Sequence, residues 1–255
     1  MTGRRVALVT GAGKRRVGNV VARRLAERDF AVAVHYRTSA EDAAESVAEI
    51  KAAGGEAIAV HADVAIEADV DQMVAAVVNR FGRIDVLVNS AAVWRPKRLE
   101  DITAADVRQQ WEANSLGTFL CARCVGLMMC PQPTGGSIIN IGDWSVARPY
   151  RDYAAYYVSK GAIATLTRSL AVEFAARNPQ VRVNCVMPGP VMLPPELSPA
   201  ERESIVRSTL VKREGMPDHV AQAVLFFVEN DFVTGVCLPV DGGRTIYPGE
   251  DVCRQ

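Results

Sequence analysis

The alternation of short apolar runs with longer helical patterns constrains the fold of this chain most strongly. Runs rich in β-branched residues predict strands at residues 6–10, 31–36, 57–61, 86–89, 137–141, 181–187 and 236–240. Helical patterns lie between them at residues 17–28, 40–53, 67–81, 104–129, 153–177 and 218–228. Strands that are apolar along their whole length are typical of a parallel sheet covered on both faces. The pattern therefore predicts an α/β fold, a doubly wound, Rossmann-like parallel sheet of about seven strands.

Length and composition place this pattern in a single domain. The 255 residues are 49% apolar, which is enough to bury one large core, and we expect one domain over residues 1–255. The longest stretch without a predicted element is residues 188–216, which contains a short amphipathic piece at residues 199–210. A doubly wound fold places a substrate lid at such a position, although a mobile surface loop is the alternative.

Charge and residue usage exclude several classes of function. The formal net charge is zero, so the chain lacks the electrostatic footprint of a nucleic-acid or membrane-surface protein. The first residues lack the features of a signal peptide, and no apolar stretch approaches the ~18 residues of a membrane span. We expect a cytoplasmic protein that acts on a small molecule, without nucleic-acid or membrane partners.

Cysteine and histidine usage indicates no metal site. The three histidines are scattered, and His35 is interpreted as a packed residue at a strand end, with a place in the lining of the phosphate pocket as the alternative. Cys121 and Cys124 have C-x-x-C spacing but fall inside a helical pattern without a second pair. The six cysteines are interpreted as buried free thiols of a reducing cytoplasm: Cys121, Cys124, Cys130, Cys185, Cys237 and Cys253.

A glycine-rich segment joins the first predicted strand to the first predicted helix. It reads Thr10-Gly-Ala-Gly-Lys-Arg-Arg-Val-Gly18 and departs from G-x-G-x-x-G because its last glycine comes late. Gly11 and Gly13 permit a close approach of the backbone, and the helix N-terminus offers unpaired N–H groups. The segment therefore predicts a phosphate-binding loop.

The end of the second predicted strand indicates the preferred dinucleotide. An acidic residue there binds a ribose 2′-hydroxyl, whereas a 2′-phosphate requires a cation. No Asp or Glu follows this strand, and Arg37 stands there, flanked by Thr38 and Ser39. Further cations face this point from the glycine loop, namely Lys14, Arg15 and Arg16. Because an Arg fork suits a phosphate dianion, NADPH or NADP⁺ is predicted rather than NAD(H).

Three residues indicate proton chemistry. Tyr156 and Lys160 are four residues apart, so they project from one face of a helix, one turn apart. An ammonium that close favours the phenolate of a tyrosine whose unperturbed pKa is ~10. Asp143 stands thirteen residues before Tyr156. We predict that the three side chains form one catalytic group.

With these features placed, the chain resembles the short-chain dehydrogenase/reductase family from residue 6 to about residue 247. The landmarks appear in order: Thr10-Gly11 to Gly18, Asp63, Asn89-Ser-Ala-Ala92, Asn114, Tyr156-x-x-x-Lys160, Pro188-Gly189 and Asp241-Gly-Gly243. The resemblance implies that Tyr156 is the general acid or base, that Lys160 holds the nicotinamide ribose, and that Asn114 positions a water in the proton relay. It also implies that Asp63 contacts adenine and that Asn89 braces the cofactor strand. The cofactor contacts that we predict are Gly11, Gly13, Arg15, Arg16, Gly18, Tyr36, Arg37, Thr38, Ser39, Asp63, Val64, Asn89, Ser90, Ala91, Tyr156, Lys160, Pro188, Gly189 and Val191.

Three departures from the family pattern are similar to the pteridine reductase and dihydromonapterin reductase branch. Asp143 replaces the usual Ser, Arg16 replaces the middle glycine, and Trp94 follows the fourth strand. An ionised carboxylate only accepts hydrogen bonds, so it suits a substrate with N–H groups better than a carbonyl oxygen. The resemblance implies a flat pterin ring between the nicotinamide and the aromatic side chain. The predicted substrate contacts are Arg16, Trp94, Asp143 and Tyr156.

Two alternatives remain open at this stage. The chain is a carbonyl reductase or dehydrogenase acting on a ketone, sugar or acyl thioester if Ser145 takes over as the oxygen donor. It is a non-catalytic NADP(H) sensor if the fold serves only as a binding module, although a sensor has no need of Asn114, Tyr156 and Lys160. In this family the two long helical segments, at residues 104–129 and 153–177, pair across subunits. The resemblance therefore implies a homotetramer, with a dimer as the alternative.

Overall fold

The computed structural model describes residues 3–248 and contains one seven-stranded sheet. All neighbouring strands are parallel, in the order β3-β2-β1-β4-β5-β6-β7. The predicted doubly wound fold is confirmed. The strands are β1 Val6–Val9, β2 Ala31–Tyr36, β3 Glu56–His61, β4 Val86–Asn89, β5 Gly136–Ile141, β6 Val181–Pro188 and β7 Cys237–Val240.

Helices cover both faces of the sheet, as the uninterrupted apolar strands require. In β1, Val6 and Leu8 pack with the helices at residues 67–81, 117–129 and 154–175, whereas Ala7 and Val9 pack on the opposite face with those at residues 17–27, 40–52 and 217–229. Every residue of β1 is therefore buried. The helices are α1 Val17–Glu27, α2 Ala40–Ala52, α3 Glu67–Phe81, α4 Ala104–Trp111, α5 Gly117–Met129, α6 Ala154–Ala175, α7 Pro199–Arg207 and α8 Pro217–Glu229.

The single helix predicted at residues 104–129 is interrupted. A π-helical turn, Glu112–Leu116, separates α4 from α5. Two polar side chains of this turn bond to α6: the Asn114 amide nitrogen donates to Ser159 Oγ at 2.9 Å, and Ser115 Oγ donates to the Ser159 carbonyl at 2.7 Å. A π turn accommodates one extra residue and is frequent at functional sites. Helical periodicity alone does not predict such an insertion.

The predicted lid segment, residues 188–216, contains one helix, α7. Ser198 and Glu201 form a capping box at its N-terminus. Arg202 donates to both carboxylate oxygens of Glu214 at 2.7 Å, and the Leu210 amide donates to the Gly242 carbonyl at 2.8 Å. The segment is thus attached to itself and to the chain after β7, and its role as a lid remains a prediction.

The order of the sheet reverses between β1 and β4, so the carboxyl ends of these strands flank a crevice in which doubly wound folds bind ligands. No helix among residues 3–248 is long and apolar enough to cross a membrane, and the same residues contain no cluster that could hold a metal ion. The five cysteines within this range are free thiols, Cys121 and Cys185 being buried and three partly buried; Cys253 lies outside the described residues.

Candidate active site

A cavity of about 430 Å³ occupies this crevice. It extends from the glycine loop and the end of β2, where a phosphate end is predicted, to Asp143 and Tyr156. Most of the predicted cofactor contacts line it: Gly11, Gly13, Arg16, Tyr36, Arg37, Thr38, Ser39, Asp63, Val64, Ser90, Ala91, Tyr156, Lys160, Pro188 and Gly189. The other predicted contacts, Arg15, Gly18, Asn89 and Val191, do not line it.

The glycine loop is held tightly against its neighbours. Gly11 has a φ of +65°, and a Cβ there would lie 2.7 Å from the Ala91 Cα. A Cβ on Gly13 would lie 2.7 Å from Ser39 Oγ, and one on Gly18 would lie 2.9 Å from Ser90 Oγ. Gly18 therefore contributes by packing the start of α1 against β4. Only glycine allows the backbone N–H groups this close to a bound phosphate.

His35 braces the loop from beneath. Its Nδ1 accepts a hydrogen bond from the Gly11 amide at 2.9 Å, and its Nε2 lies 3.1 Å from the Ala62 carbonyl oxygen. The Gly11 bond requires an unprotonated Nδ1, so the ring proton lies on Nε2 and is donated to Ala62. Burial lowers the pKa of His35, which favours this neutral form. The packing of this histidine was predicted, whereas its hydrogen bond to the glycine loop was not.

The basic residues of the phosphate end separate into two groups. Lys14, Arg16 and Arg37 line the cavity. Arg37 is half exposed and lies 3.4 Å from Asp63 Oδ2, which is a loose ion pair. Arg15 does not line the cavity, and its guanidinium pairs with two acidic residues one turn apart on α2: Glu45 at 3.0 Å and Glu49 at 2.7 Å. Its contact with the cofactor remains a prediction.

At the other end of the cavity, Asp143 and Tyr156 are directly hydrogen-bonded. Tyr156 Oη donates to Asp143 Oδ2 at 2.6 Å. The second carboxylate oxygen accepts from both the Ser145 amide at 2.8 Å and Ser145 Oγ at 2.6 Å. Ser145 is 2% exposed, and its hydroxyl faces the carboxylate rather than the cavity. The carboxylate therefore occupies the position beside the phenol.

Lys160 stands one turn beyond Tyr156 on α6, as the spacing predicts. Its Nζ donates to the Ile141 carbonyl at 2.8 Å. Burial lowers the pKa of Lys160, although Asp143 acts in the opposite direction. Burial and then the Asp143 charge raise the pKa of Tyr156, so any lowering by Lys160 is outweighed and the phenol is neutral.

Asn114 supports the reacting end from behind. It is fully buried, and its side chain exchanges hydrogen bonds with the Val93 backbone at 2.8 and 3.0 Å while donating to Ser159 Oγ. Ser159 Oγ in turn donates to the Tyr156 carbonyl at 2.6 Å. This connection orients the start of α6, and Ser159 was not predicted. The water-positioning role implied by the resemblance remains a prediction.

Asn89 and Val191 lie behind the cavity wall. Asn89 donates to Asn140 Oδ1 at 3.0 Å and so connects β4 to β5. Val191 is buried, whereas the next residue, Met192, lines the cavity and was not predicted. A single apolar residue in a long segment carries no signal that would have identified it.

Aromatic rings form one wall of the reacting end. Trp94 lines the cavity, is 52% exposed, and stacks on Tyr153 with a centroid distance of 5.1 Å and an interplanar angle of 8°. Tyr153 also contacts Tyr156 edge to face at 6.4 Å. Tyr153 was not predicted, although it stands three residues before Tyr156 and directly precedes α6.

These residues fit a nicotinamide dinucleotide. The glycine loop leaves room only for backbone. Three cations, Lys14, Arg16 and Arg37, line the phosphate end without a close carboxylate partner among the described residues. The neutral phenol and buried amine lie at the opposite end of the same cavity. When bound there, a nicotinamide would supply hydride chemistry.

Comparisons with known proteins agree with this arrangement. A protein-family model described as enoyl-(acyl carrier protein) reductase matches residues 11–245. The short-chain reductase protein NovJ of Streptomyces niveus is 39% identical over 254 residues, which cover 94% of this chain and 93% of that protein. A 3-oxoacyl-[acyl-carrier-protein] reductase of Synechocystis is 36% identical over 245 residues, covering 95% and 97% of the two chains.

A solved structure has the same fold over almost its whole length. It is a putative short-chain alcohol dehydrogenase from Sinorhizobium meliloti, with a TM-score of 0.87 and 31% identity, covering 96% of this chain and 97% of that chain. Matches of this extent include both the glycine loop and the tyrosine and lysine of α6. The chain therefore belongs to the short-chain dehydrogenase/reductase family, whose members are oxidoreductases that use a nicotinamide cofactor.

Proposed function

We propose that the protein is an NADPH-dependent reductase of a planar nitrogen heterocycle, such as a dihydropterin or a dihydrofolate-like compound. One observation carries this proposal: the carboxylate of Asp143 accepts a hydrogen bond from Tyr156 at 2.6 Å, in the position where most of the family has a hydroxyl. The pteridine reductase and dihydromonapterin reductase branch shares this Asp, as well as the arginine and the aromatic residue at the corresponding positions.

The charge of the phosphate end supports NADPH as the cofactor. Arg37 follows β2 where an NAD-binding protein has an acidic residue, and Lys14 and Arg16 face it across the cavity. Asp63 comes from the end of β3 and lies 3.4 Å from Arg37, so it orients the guanidinium without neutralising it closely. A 2′-phosphate would replace this loose pair with a bidentate one.

The reacting end favours a substrate that receives its proton on nitrogen. A substrate carbonyl oxygen would face the two acceptor oxygens of the Asp143 carboxylate, whereas a ring edge with N–H groups can donate hydrogen bonds to them. Tyr156, held neutral, gives its proton to the ring nitrogen as that nitrogen becomes basic. Lys160, whose pKa is lowered by burial, then replaces the phenolic proton. Asp143 orients the phenol before the transfer, and this hydrogen bond forms again once Lys160 has returned the phenolic proton.

The walls of the cavity suit a flat ring. Trp94 offers a half-exposed aromatic face that is already held parallel to Tyr153. Arg16 lines the same cavity and can donate to a ring edge that carries oxygen or nitrogen acceptors.

The second candidate is a carbonyl reductase acting on a ketone, a sugar or an acyl thioester. The names of the relatives favour it, since one of them is a 3-oxoacyl-[acyl-carrier-protein] reductase. It requires Ser145 to donate to a substrate oxygen, yet this hydroxyl is buried and donates to Asp143. We therefore rank this candidate second.

We also propose a homotetrameric assembly, with a dimer as the alternative, and a cytoplasmic location. Large apolar side chains stay exposed on the helical layer of α4, α5 and α6, where a partner subunit would cover them: Trp111, Phe119, Leu127, Val158 and Val172. The segment at residues 188–216 is proposed as the lid, since Met192 already lines the cavity.

The test is NADPH oxidation with a dihydropterin, dihydrofolate, a quinone and a β-keto ester. For the wild-type enzyme we expect the highest kcat/KM with the dihydropterin or dihydrofolate. Asp143→Ser is expected to lower this value by about 10- to 100-fold, because a charge-assisted hydrogen bond contributes ~1.5–3 kcal/mol. Asp143→Asn, which keeps the shape and removes the charge, is the matched control.

Equal losses with the heterocycle and the ketone would contradict the heterocycle assignment. If Ser145→Ala abolishes ketone reduction while Asp143→Ser is tolerated, the carbonyl reductase is the correct description. Consumption of NADPH with either class excludes a pure sensor.

A further inference from the structure

A second cavity lies next to the catalytic cavity, and no step of the proposed mechanism uses it. It has a volume of about 380 Å³, and we call it the arginine pocket. Trp144, which follows Asp143 directly in the chain, forms part of its wall, so the two cavities meet at one peptide bond. The lining residues are Trp144, Arg148, Pro149, Tyr150, Ser208 and Arg244.

Two guanidinium groups line the arginine pocket, and neither pairs with a carboxylate among the described residues. One nitrogen of Arg148, Nη1, donates to the backbone carbonyls of Arg244 at 3.0 Å and of Tyr247 at 2.6 Å. These bonds use one arm of the fork and attach the chain after β7 to the loop after β5. The remaining N–H groups of Arg148 are at an exposed position, where an anion could accept from them.

Arg244 is partly buried between aromatic rings. Its guanidinium lies 4.6 Å from the centre of the Trp144 ring and 5.6 Å from that of Tyr150. Burial lowers the pKa of Arg244, because water stabilises its positive charge less here than at the surface. The nearby carboxylate of Asp241 accepts from the amides of Gly243 and Thr245 and from the Thr245 hydroxyl, so it is already occupied.

The other walls favour an anion that is carried on an aryl or apolar linker. Trp144 is 5% exposed and meets Tyr150 edge to face at 5.8 Å, while Tyr150 itself is 41% exposed. A pocket that combines two guanidinium forks with an open aromatic ring is complementary to a carboxylate attached to a flat or extended group.

A continuous aromatic surface joins this pocket to the reacting phenol. Tyr150 contacts Tyr153 at a centroid distance of 6.4 Å, and Tyr153 contacts both Trp94 at 5.1 Å and Tyr156 at 6.4 Å. A substrate ring packed near Trp94 could therefore extend a linker over Tyr153 and Tyr150 to the two arginines.

We propose that the arginine pocket binds a carboxylate at the far end of the substrate, so that the preferred substrate is a nitrogen heterocycle with an aryl-linked, carboxylate-terminated tail. This inference rests on the proposed function, and it separates a dihydrofolate-like substrate from a dihydropterin without a tail. A phosphate-bearing tail, as on an acyl carrier, has related anion chemistry and is distinguished by the experiment.

The experiment measures binding without turnover. Isothermal titration calorimetry follows p-aminobenzoylglutamate, and separately inorganic phosphate, added to the protein saturated with NADP⁺. The variants are Arg148→Gln and Arg244→Lys; the latter keeps the charge but loses the planar fork. We expect the Kd of p-aminobenzoylglutamate to rise about 10-fold or more in each, because hydrogen bonds to charged groups are the strong ones. Arg151→Gln, an exposed arginine of the same loop that does not line the pocket, should leave the Kd unchanged.

The thermal unfolding midpoint of each variant is measured in parallel, because Arg148 also attaches the chain after β7. Should Arg148→Gln lower that midpoint, Arg244→Lys decides the question. The proposal is overturned if p-aminobenzoylglutamate does not bind the wild type, or if it binds all variants equally. Tighter, arginine-dependent binding of phosphate would overturn the carboxylate assignment in favour of a phosphate-bearing tail.

Steady-state kinetics separates this inference from the proposed function. For the pocket variants, kcat/KM should fall more with dihydrofolate than with a tailless dihydropterin, so their ratio drops about 10-fold. Arginine-dependent binding of the probe without reduction of either heterocycle would mean that the proposed function fails while the pocket stands. Reduction of both substrates with equal losses in the variants would mean that the proposed function stands while the arginine pocket does not bind the tail.

Discussion

The two ends of the catalytic cavity differ in how their polar groups are paired. At the phosphate end, backbone amides and half-exposed cations are available to a ligand. Gly11 and Gly13 allow a close approach to the backbone, and Arg37 has only a loose ion pair with Asp63 at 3.4 Å. At the reacting end, polar groups are already paired within the protein, Tyr156 with Asp143 at 2.6 Å and Lys160 with the Ile141 backbone carbonyl at 2.8 Å. We therefore expect the loss of one contact to have a smaller effect at the phosphate end than at the reacting end.

The largest expected effect concerns the reacting end. Tyr156→Phe removes the proton donor and leaves Asp143 Oδ2 without its hydrogen-bond partner, so we expect kcat to fall by about 10²- to 10⁴-fold. Binding of NADPH, followed by fluorescence titration, should change far less. The matched control is Tyr157→Phe on the next residue, whose hydroxyl accepts from the Tyr150 amide at 3.1 Å. If the two variants lose similar activity, Tyr156 is not the proton donor.

An intermediate effect is expected at the phosphate end. Arg37→Ala should raise the KM for NADPH by about 10- to 100-fold, since a charge-assisted hydrogen bond contributes ~1.5–3 kcal/mol. The KM for NADH should stay nearly constant, because NADH has no 2′-phosphate. Steady-state kinetics with both cofactors measures this difference.

Arg15→Ala provides the control for this variant. Arg15 belongs to the same basic cluster in the sequence but pairs with Glu45 and Glu49 on α2, outside the cavity. We expect its removal to leave the KM for NADPH within about twofold, in line with the small contribution of exposed ion pairs. Equal effects of the Arg15 and Arg37 substitutions would contradict the separation of the cluster into two groups.

The same contrast explains what could be predicted from sequence. Parallel strands that are apolar throughout, and a glycine loop at the first strand–helix junction, are local patterns, so the fold and the phosphate end could be predicted. The ion pairs of Arg15 could not be predicted, because its partners Glu45 and Glu49 lie about thirty residues later in the chain. The π turn at Asn114 and the contact with Ser159 were missed since they arise from packing between helices that are distant in sequence.

The pKa of Tyr156 shows the same limit. The i, i+4 spacing of Tyr156 and Lys160 indicates a lowered value, yet burial and Asp143 together raise it. Burial is a property of the assembled core, and no local pattern reports it. The chemistry of a site can thus be identified from residue types, while its protonation requires the fold.

The smallest expected effect concerns His35, where the phosphate end, like the reacting end, contains a buried polar side chain that is hydrogen-bonded within the protein. His35 is a buried polar side chain that accepts from Gly11, and burial lowers its pKa. The unfolded chain takes up a proton near the ordinary pKa of ~6.5, whereas the folded protein resists it. The stability contributed by neutral His35 is therefore complete above that pH and is lost as the pH falls below it toward the lowered pKa.

Thermal unfolding between pH 7.5 and pH 5.5 measures this loss. One proton contributes up to ~1.4 kcal/mol per pH unit within the window, or roughly 2–4 °C in Tm for each kcal/mol in a chain of this size. His35→Asn keeps an acceptor for the Gly11 amide and cannot titrate, so its Tm should fall less over the same range. If His35→Asn and the wild type have the same pH dependence, the glycine loop does not depend on a neutral imidazole, and the two ends differ as completely as their surfaces suggest.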